Sequence, residues 1–336
     1  MKTSFLVWNI LFPVFLYSAG SCSNDPLLEQ TLISSASMEA PAFISCKAAS
    51  PLEIEFRFTS PVKLVSLNFD RPVEVESTTD GSQVKVALKK RLAEGEPVTA
   101  DILVEDEYQN TLNVLAPFTA RNNRIPSIQL TEIRTEYSKP KVEFVEMKTL
   151  SSGNLGALRL FIASNGIDSP VFVFPSVEVQ AGEYIVVHLR SIEEGLLNET
   201  SANLSASAGT EAAPSGRDFW VSGSTKLLRK TDAVFLMDQD DKVLDALMLH
   251  KESDTVWKGD LAQGAELLGK QRAWRAASGT TPQPSDALLS DATTLTRTIS
   301  RNESIPDSNS AADWFVTATS SATPGKFNTD KHYVAK

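Results

Sequence analysis

Short segments in which apolar and polar side chains alternate recur along the chain from about residue 40 onward. The clearest is Leu52–Phe58, in which apolar residues alternate with Glu and Arg. A period of two places one face of a β-strand in a core and the other face in water. Turn-forming pairs such as Asp80 and Gly81 separate neighbouring segments. The pattern therefore predicts short antiparallel strands and no helical stripe longer than a few turns.

A polar junction at Arg121–Pro126 divides the predicted strands into two groups. Before it, strands are predicted at Val62–Phe69, Val73–Val75, Val84–Leu88 and Ala100–Val104. After it, they are predicted at Ile128–Ile133, Lys141–Met147, Leu158–Ala163, Val171–Val173, Tyr184–Leu189, Ala233–Met237 and Val243–Leu249. Many short strands at this spacing are typical of antiparallel β-sandwiches. We therefore expect an all-β protein with one sandwich at residues 40–124 and a second at residues 125–330.

The run Thr296–Asn328 is predicted to close the second sandwich. It consists of a predicted strand, a polar loop, a second strand that carries Trp314 and Phe315, and a Thr-Pro-Gly turn. Burial of the Trp314 ring would contribute roughly a few kcal/mol and keep this terminal strand from fraying. Pro324 and Gly325 supply the fixed and the permissive φ that the exit turn needs.

Two long stretches, Ser191–Gly216 and Ala276–Thr293, interrupt the strands of the second domain and are rich in small and polar residues. We interpret both as surface loops, and we expect the Ala-rich part of the first to form a short helix. Loops of this size are often binding elements, although variable surface is the more frequent case.

The N-terminus combines one positive charge, Lys2, with the apolar run Phe5–Tyr17. A membrane-spanning helix needs roughly 20 apolar residues, so this shorter run indicates a secretory signal. The small residues Ser18–Ser21 before Cys22 resemble the end of a bacterial lipoprotein signal, although Ala19 stands where that family most often has Leu. The resemblance implies a signal peptide at residues 1–21, fatty acylation of Cys22, and a tether at residues 22–39. An ordinary signal peptidase site is the alternative.

The chain has two cysteines, Cys22 and Cys46. If Cys22 carries lipid, Cys46 has no partner and is expected to be a small buried hydrophobic residue. A disulfide between Cys22 and Cys46 is the competing interpretation.

The formal net charge is −10 and becomes −11 when the leader is removed, because Lys2 is the one charged residue among residues 1–21. An acidic surface repels phosphate backbones, so we expect no nucleic-acid partner. The expected partners are a membrane, through the lipid on Cys22, and a glycan or protein ligand at the cell surface.

The sequence offers little that indicates catalysis. His188, His250 and His332 are far apart and lack metal-binding spacing, and no Gly-x-Ser-x-Gly segment is present. A triad assembled from distant positions stays open, because such residues need not be neighbours in sequence. We expect neither an enzyme nor a bound cofactor.

The acidic group Asp238, Asp240, Asp241 and Asp245 is a weak candidate for a metal site, since Ca²⁺ prefers closely spaced carboxylates. The group departs from the EF-hand pattern, with Lys242 at a ligand position and no following glycine. We interpret it as a solvated turn between two strands.

Four tryptophans lie outside the leader, all in the second domain. Trp257 and Trp274 flank a segment containing Gly and Lys that we expect to be exposed, so both are weak candidates for ligand binding. Core packing is the expected role of Trp220 and Trp314.

Both domains resemble known families. Phe69–Val73, FDRPV, and Val104–Leu112, VEDEYQNTL, resemble the bacterial Ig-like domains of surface proteins. The second domain resembles the lamin-tail domain, an Ig-like β-sandwich, in the segments Ile128–Ile133, Val142–Met147, Ala181–Val187, Asp232–Asp238, Val243–Ala246, Leu295–Arg297, Ala312–Trp314 and Ala322–Asn328. It lacks the Trp-Ile-Glu-Leu phrase of the second strand and the glycine of the turn Gln239–Lys242.

The sequence therefore predicts two Ig-like β-sandwich domains after a lipoprotein signal peptide. The expected function is that of a lipid-anchored, non-catalytic binding or adhesion module of the bacterial cell envelope, at the outer membrane or cell surface. An accessory part of a secreted hydrolase system and a structural spacer are the two alternatives. Lamin-tail domains accompany hydrolases in bacteria, but no part of this chain is left for a catalytic domain once both sandwiches are assigned.

Overall fold

A computed structural model describes residues 39–335. The expectations for the signal peptide, for Cys22 and for most of the tether lie outside the described residues. From residue 39 onward the chain folds into β-strands arranged as sandwich layers, with little helix. This confirms the predicted all-β sandwich class.

The first sandwich contains six antiparallel strands. They are β1 (Phe43–Ser50), β2 (Glu53–Phe69), β3 (Val75–Thr78), β4 (Gly81–Leu88), β5 (Pro97–Glu105) and β6 (Thr111–Thr119). The strand order is β3-β4-β2-β5-β6, and β1 pairs with the first half of β2. That half of β2 also pairs with β4, whereas its second half pairs with β5. One 17-residue strand thus contributes to both layers, where the sequence predicted two separate strands.

The core of the first sandwich follows the alternation seen in the sequence. Ile54, Phe56 and Phe58 are buried on the inner face of β2, and alternate residues of β4 and β5 face them. Burying a side chain of this size contributes roughly 1.5–3 kcal/mol. The period-two pattern therefore identified the inward-facing residues correctly.

The second sandwich contains the remaining strands. They are β7 (Ile128–Arg134), β8 (Phe144–Thr149), β9 (Gly153–Asn154), β10 (Arg159–Ile162), β11 (Phe172–Val173), β12 (Glu178–Val179), β13 (Tyr184–His188), β14 (Arg217–Trp220), β15 (Asp232–Met237), β16 (Val243–His250), β17 (Leu288–Leu289), β18 (Ile299–Arg301) and β19 (Trp314–Val316). One layer has the order β14-β13-β8-β7-β18-β19 and the other β11-β10-β15-β16-β17. Apolar residues of both layers share one core, which includes Leu130, Ile185, Phe235 and Leu247.

One helix, α1 (Asp260–Lys270), stands out in the described part of the second sandwich. It buries Leu261, Gly264, Ala265 and Leu268, a spacing typical of an amphipathic helix. Gly264 allows a close approach to the core, because an added Cβ would lie 2.9 Å from the Cβ of Ala163. The expectation of an exposed segment between Trp257 and Trp274 is therefore wrong for this buried face, whereas the opposite face of α1, with Gln263 and Glu266, is exposed.

The long loop Ser191–Gly216 contains turns and bends, so the expected short helix is also wrong. The buried Glu199 carboxylate explains the difference. Its oxygens accept the backbone N–H groups of Ala206, Ser207 and Asp218 at 2.9–3.1 Å. Those amides are therefore held by a side chain instead of by the carbonyls of a helix.

The two sandwiches lie in direct contact within one compact unit that begins at Ala40. The buried Asn122 side chain donates to the carbonyls of Asn154 and Gly156, both at 2.8 Å. Gly95, at φ 70°, packs so closely that a Cβ would overlap the backbone of Gly156. Part of the polar junction is thus a buried, hydrogen-bonded contact, centred on Asn122.

Candidate functional site

Three members of the acidic group, Asp238, Asp240 and Asp241, lie in the turn between β15 and β16. Asp238 Oδ1 accepts the backbone N–H groups of Asp240 at 2.9 Å and of Lys242 at 3.0 Å. Asp241 has φ 59°, a left-handed conformation that Asp tolerates better than most residues. Asp238 therefore acts as an acceptor that closes the turn.

The carboxylates of this group do not converge. Asp240 forms a two-pronged ion pair with Arg121, whose hydrogen bond lowers the pKa of Asp240, and Asp241 pairs with Arg159 at 2.7 Å. Asp245 lies apart in β16, where it accepts from Arg301 at 2.7 Å and from the Leu130 N–H. Burial raises the pKa of Asp245 to about 6 although Arg301 opposes the shift.

Residues 39–335 contain no group of three or more His, Cys, Asp or Glu side chains placed to hold a metal ion. The candidate metal site at the acidic turn therefore has no geometric support in the part of the chain described.

A groove of about 700 Å³ lies beside these ion pairs, between the two sandwiches, and is lined in part by Arg121, Arg159 and Cys46. Its arginines already pair with acidic residues: the Arg121–Asp240 pair links the junction to the second sandwich, whereas Arg159 and Asp241 both belong to the second sandwich. Cys46 is half-buried against the first core, and burial raises the pKa of its thiol to about 12. A thiol in this state is a poor nucleophile.

His188 is enclosed in the second sandwich. Its Nε2 lies 2.7 Å from Asp218 Oδ1, its ring stacks on Trp220 at 3.8 Å, and it is 1% exposed. The other Asp218 oxygen accepts the Ala213 N–H at 2.8 Å. This pair anchors the long loop, and the lack of solvent exposure leaves no room for a substrate beside it.

Two glutamates that the sequence analysis did not single out, Glu132 and Glu146, lie opposite each other on β7 and β8 and are fully buried. Glu132 accepts from the Thr298 hydroxyl and from the Thr323 N–H, and Glu146 accepts the Gly325 N–H. Burial raises the pKa of both carboxyl groups, and the charge of Glu132 raises that of Glu146 further. The sequence feature that could have identified them is a glutamate inside each of two strands that also carry several apolar residues.

These glutamates bind the segment Thr323–Asn328, which we call the closing segment. Its turn has a Lys326 N–H donating to the Thr323 carbonyl at 3.1 Å, with Gly325 at φ 80°, as the sequence predicted. The Asn328 side chain donates to the carbonyls of Thr131 at 2.8 Å and Arg301 at 3.0 Å. The Thr-Pro-Gly-x-x-Asn ending therefore has a structural role.

The two candidate tryptophans differ in accessibility. Trp274 is 1% exposed and its Nε1 donates to the Asp286 carbonyl at 3.0 Å, so it is a core residue and no longer a candidate. Trp257 is half-buried: it packs against the second core, and its Nε1 donates to the Pro282 carbonyl at 2.7 Å. The loop Ala276–Thr293 thus supports both indoles. Trp220 and Trp314 are core residues, as predicted.

Trp257 borders a cavity of about 420 Å³, which we call the Trp257 cavity. Its lining includes Ser164, Arg229, Thr231, Asp254, Val256, Trp257, Lys258, Gly259, Asp260 and Leu261. Arg229 and Lys258 are exposed and form no ion pair within residues 39–335. Asp254 is partly buried, and its Oδ2 accepts from the Thr231 hydroxyl at 2.6 Å and from the Lys251 N–H at 2.8 Å. These hydrogen bonds outweigh burial and lower the pKa of Asp254.

The Trp257 cavity thus combines a fixed aromatic ring with two carboxylates, two hydroxyl groups, and two cations that form no ion pair within the described residues. Sequence reasoning identified the tryptophan alone, because Arg229 and Asp254 reach the cavity from separate connections on either side of β15 and β16.

No helix in the described residues is long and apolar enough to cross a membrane.

The fold and this cavity define a β-sandwich protein with an accessible polar cavity. Residues 126–316, more than half of the chain, match the family model TP_1001_2nd, described as a protein second domain, and the chain belongs to this family. The chain is also 24% identical over 231 residues to an uncharacterized protein of Treponema pallidum (strain Nichols). The match covers 66% of this chain and 58% of that relative, so the chain spans less than two thirds of the relative's length.

Proposed function

We propose that this protein is a non-catalytic binding module of the bacterial cell envelope. The observation that carries the proposal is the Trp257 cavity, in which an indole held by the Pro282 carbonyl lies beside the cations of Arg229 and Lys258. Pre-positioned aromatic rings with nearby polar groups favour ligand binding, because little conformational freedom is lost.

The positions of the acid and base groups support a binding role over a catalytic one. His188 is enclosed with Asp218, and the carboxylates of Glu132 and Glu146 accept hydrogen bonds from the closing segment. A general acid or base must come within hydrogen-bond reach of the substrate. None of these four side chains is accessible in the described structure.

The proposal includes the anchor and the family resemblances drawn from the sequence. Acylation of Cys22 would hold the module at a membrane surface, since each buried methylene contributes about 0.8 kcal/mol. The Ig-like resemblance of the first sandwich and the lamin-tail resemblance of the second fit the β-sandwich fold. Radiolabelled palmitate should enter the full-length protein and fail to enter a Cys22→Ala variant; persistent incorporation would refute the anchor.

The binding role is tested by incubating the soluble fragment from Asn24 onward with detergent extracts of the native cell envelope. We expect the fragment to retain a glycan or protein, and a Trp257→Ala variant to lose it. Tyr108→Ala is the matched control, because Tyr108 is a half-exposed aromatic residue of the first sandwich. Equal retention by wild type and Trp257→Ala would refute this site. If neither the wild-type fragment nor either variant retains a glycan or a protein, the result would favour a structural spacer.

A further inference from the structure

We propose that the Trp257 cavity binds an acidic saccharide, a hydroxylated sugar ring that carries one carboxylate. The inference rests on the proposed function and adds the chemical class of the ligand. In this assignment the sugar ring stacks on Trp257, its hydroxyl groups bond to Asp254 and Thr231, and its carboxylate pairs with Arg229 and Lys258.

Size and shape are the first argument. A volume of about 420 Å³ falls within the range of small-molecule sites, which is about 300–1,000 Å³, and is far below what a folded partner would occupy. The Trp257 ring is fixed on one side by the core and at Nε1 by the Pro282 carbonyl. A rigid indole presents a flat apolar surface at low entropic cost, which suits the C–H face of a sugar ring.

The hydrogen-bond acceptors are the second argument. Both hydrogen bonds to Asp254 use Oδ2, so Oδ1 has acceptor capacity left for a ligand hydroxyl. The Thr231 hydroxyl donates to Asp254 and can still accept a hydrogen bond. Both groups can accept hydrogen bonds from the hydroxyl groups of a saccharide, whereas an apolar ligand would leave them without a partner.

The balance of charge is the third argument. Arg229 and Lys258 are two cations without carboxylate partners in the described chain, so they favour an anionic group. Asp254 and Asp260 line the same cavity and oppose a ligand with many negative charges. The cavity therefore suits one carboxylate on a hydroxylated ring better than a polyphosphate or a nucleic acid.

Tryptophan fluorescence of the soluble fragment tests the assignment directly. Trp220, Trp274 and Trp314 are 7%, 1% and 5% exposed, so Trp257 is the indole of the described residues most open to the quencher acrylamide. The probes are galacturonic acid, trigalacturonate, the neutral maltotriose, and inorganic phosphate. We expect trigalacturonate or galacturonic acid to reduce acrylamide quenching, and maltotriose and phosphate to leave it unchanged.

Variants of exposed residues keep the test independent of folding. Arg229→Ala and Lys258→Ala should each weaken binding of the acidic probe by roughly tenfold or more, since a charge-assisted hydrogen bond contributes about 1.5–3 kcal/mol. Lys242→Ala is the matched control, because Lys242 is an exposed cation of the same sandwich that does not line the cavity, and it should bind as wild type does.

The outcomes separate this inference from the proposed function. Protection by the trisaccharide alone indicates a polymer-derived ligand, and protection by galacturonic acid alone indicates a free sugar acid; both support the proposal. Equal protection by maltotriose, or by phosphate, overturns the acidic-saccharide class. If no saccharide protects Trp257 while the envelope extract is still retained in a Trp257-dependent manner, the ligand class is wrong and the binding function stands.

Discussion

The closing segment gives the sharpest prediction about stability, at Asn328. Its side chain donates to the carbonyls of Thr131 and Arg301, and the Thr323 hydroxyl lies 3.2 Å from its Oδ1. Asn328→Ala removes both donated bonds and leaves two buried carbonyls without these partners. A buried polar group without a partner costs about 1–3 kcal/mol, so the free energy of unfolding should fall by about 2–6 kcal/mol.

The assay is urea unfolding of the soluble fragment followed by tryptophan fluorescence, because Trp314 lies in the same sandwich. Lys326→Ala is the matched control: Lys326 belongs to the same segment, is exposed and forms no ion pair within residues 39–335. The control should unfold at the wild-type midpoint, because changes at exposed sites are usually within about 0.5 kcal/mol.

Hydrogen exchange locates the effect of Asn328→Ala. The amides of Thr323 and Gly325, which donate to Glu132 and Glu146, should exchange faster in the variant than in wild type. If Asn328→Ala and Lys326→Ala unfold at the same midpoint, with equal protection of these two amides, the structural role assigned to the closing segment is refuted.

Three further predictions concern single buried positions. Burial raises the pKa of Asp232 from about 3.8 to about 6, so the folded state holds a proton between these values and the free energy of unfolding should fall as pH rises through this window. The fall attributable to Asp232 is about 3 kcal/mol, and it should be absent from Asp232→Asn when urea unfolding is measured between pH 3.5 and 8. The same pH dependence in wild type and variant would contradict the shift. Gly95→Ala should cost roughly 1–3 kcal/mol, because φ is 70° and a Cβ would overlap Gly156; an unchanged melting temperature would exclude this close contact. Gly264→Leu should cost about 1–3 kcal/mol in urea unfolding, because its Cβ would lie 2.9 Å from that of Ala163, and a wild-type midpoint would contradict the packing of α1.

Alternation of apolar and polar residues was enough to predict most strands. In Leu52–Phe58 each alternate residue from Ile54 to Phe58 is buried, because one face of the layer packs on the other. The same rule could not show that β2 continues through Ser60 and Pro61 and joins both layers. That continuity depends on pairing with β4 and β5, which are distant in sequence.

The helix α1 was missed because its glycines are poor helix formers, at about 1 kcal/mol each relative to Ala. Gly264 and Gly269 are nevertheless needed, since a side chain would collide with Ala163 at one position and with the Thr280 carbonyl at the other. The helical conformation of α1 is therefore determined by contacts with distant residues and not by local helix propensity. Trp274 is also fixed by a distant part of the chain, because its buried indole donates to the Asp286 carbonyl of the loop Ala276–Thr293.

The candidate site could be predicted only in part. Trp257 was identified because aromatic residues near polar loops favour recognition, whereas Arg229 and Asp254 gave no local signal. Glu132 and Glu146 were overlooked because sequence rules place glutamate on the solvent face of a strand. Their donors, Thr323 and Gly325, lie 191 and 179 residues further along the chain, so the sequence could not reveal the pairing.

That separation also bears on the order in which the protein folds. The first sandwich pairs strands between Phe43 and Thr119 and can assemble while the rest of the polypeptide is still being synthesised. The second must await Thr323 before the carboxyl group of Glu132 receives its amide donor. Contacts that span such distances are slow to form. The nascent chain should therefore pass through a stage with one finished domain and one that remains open to chaperones or proteases.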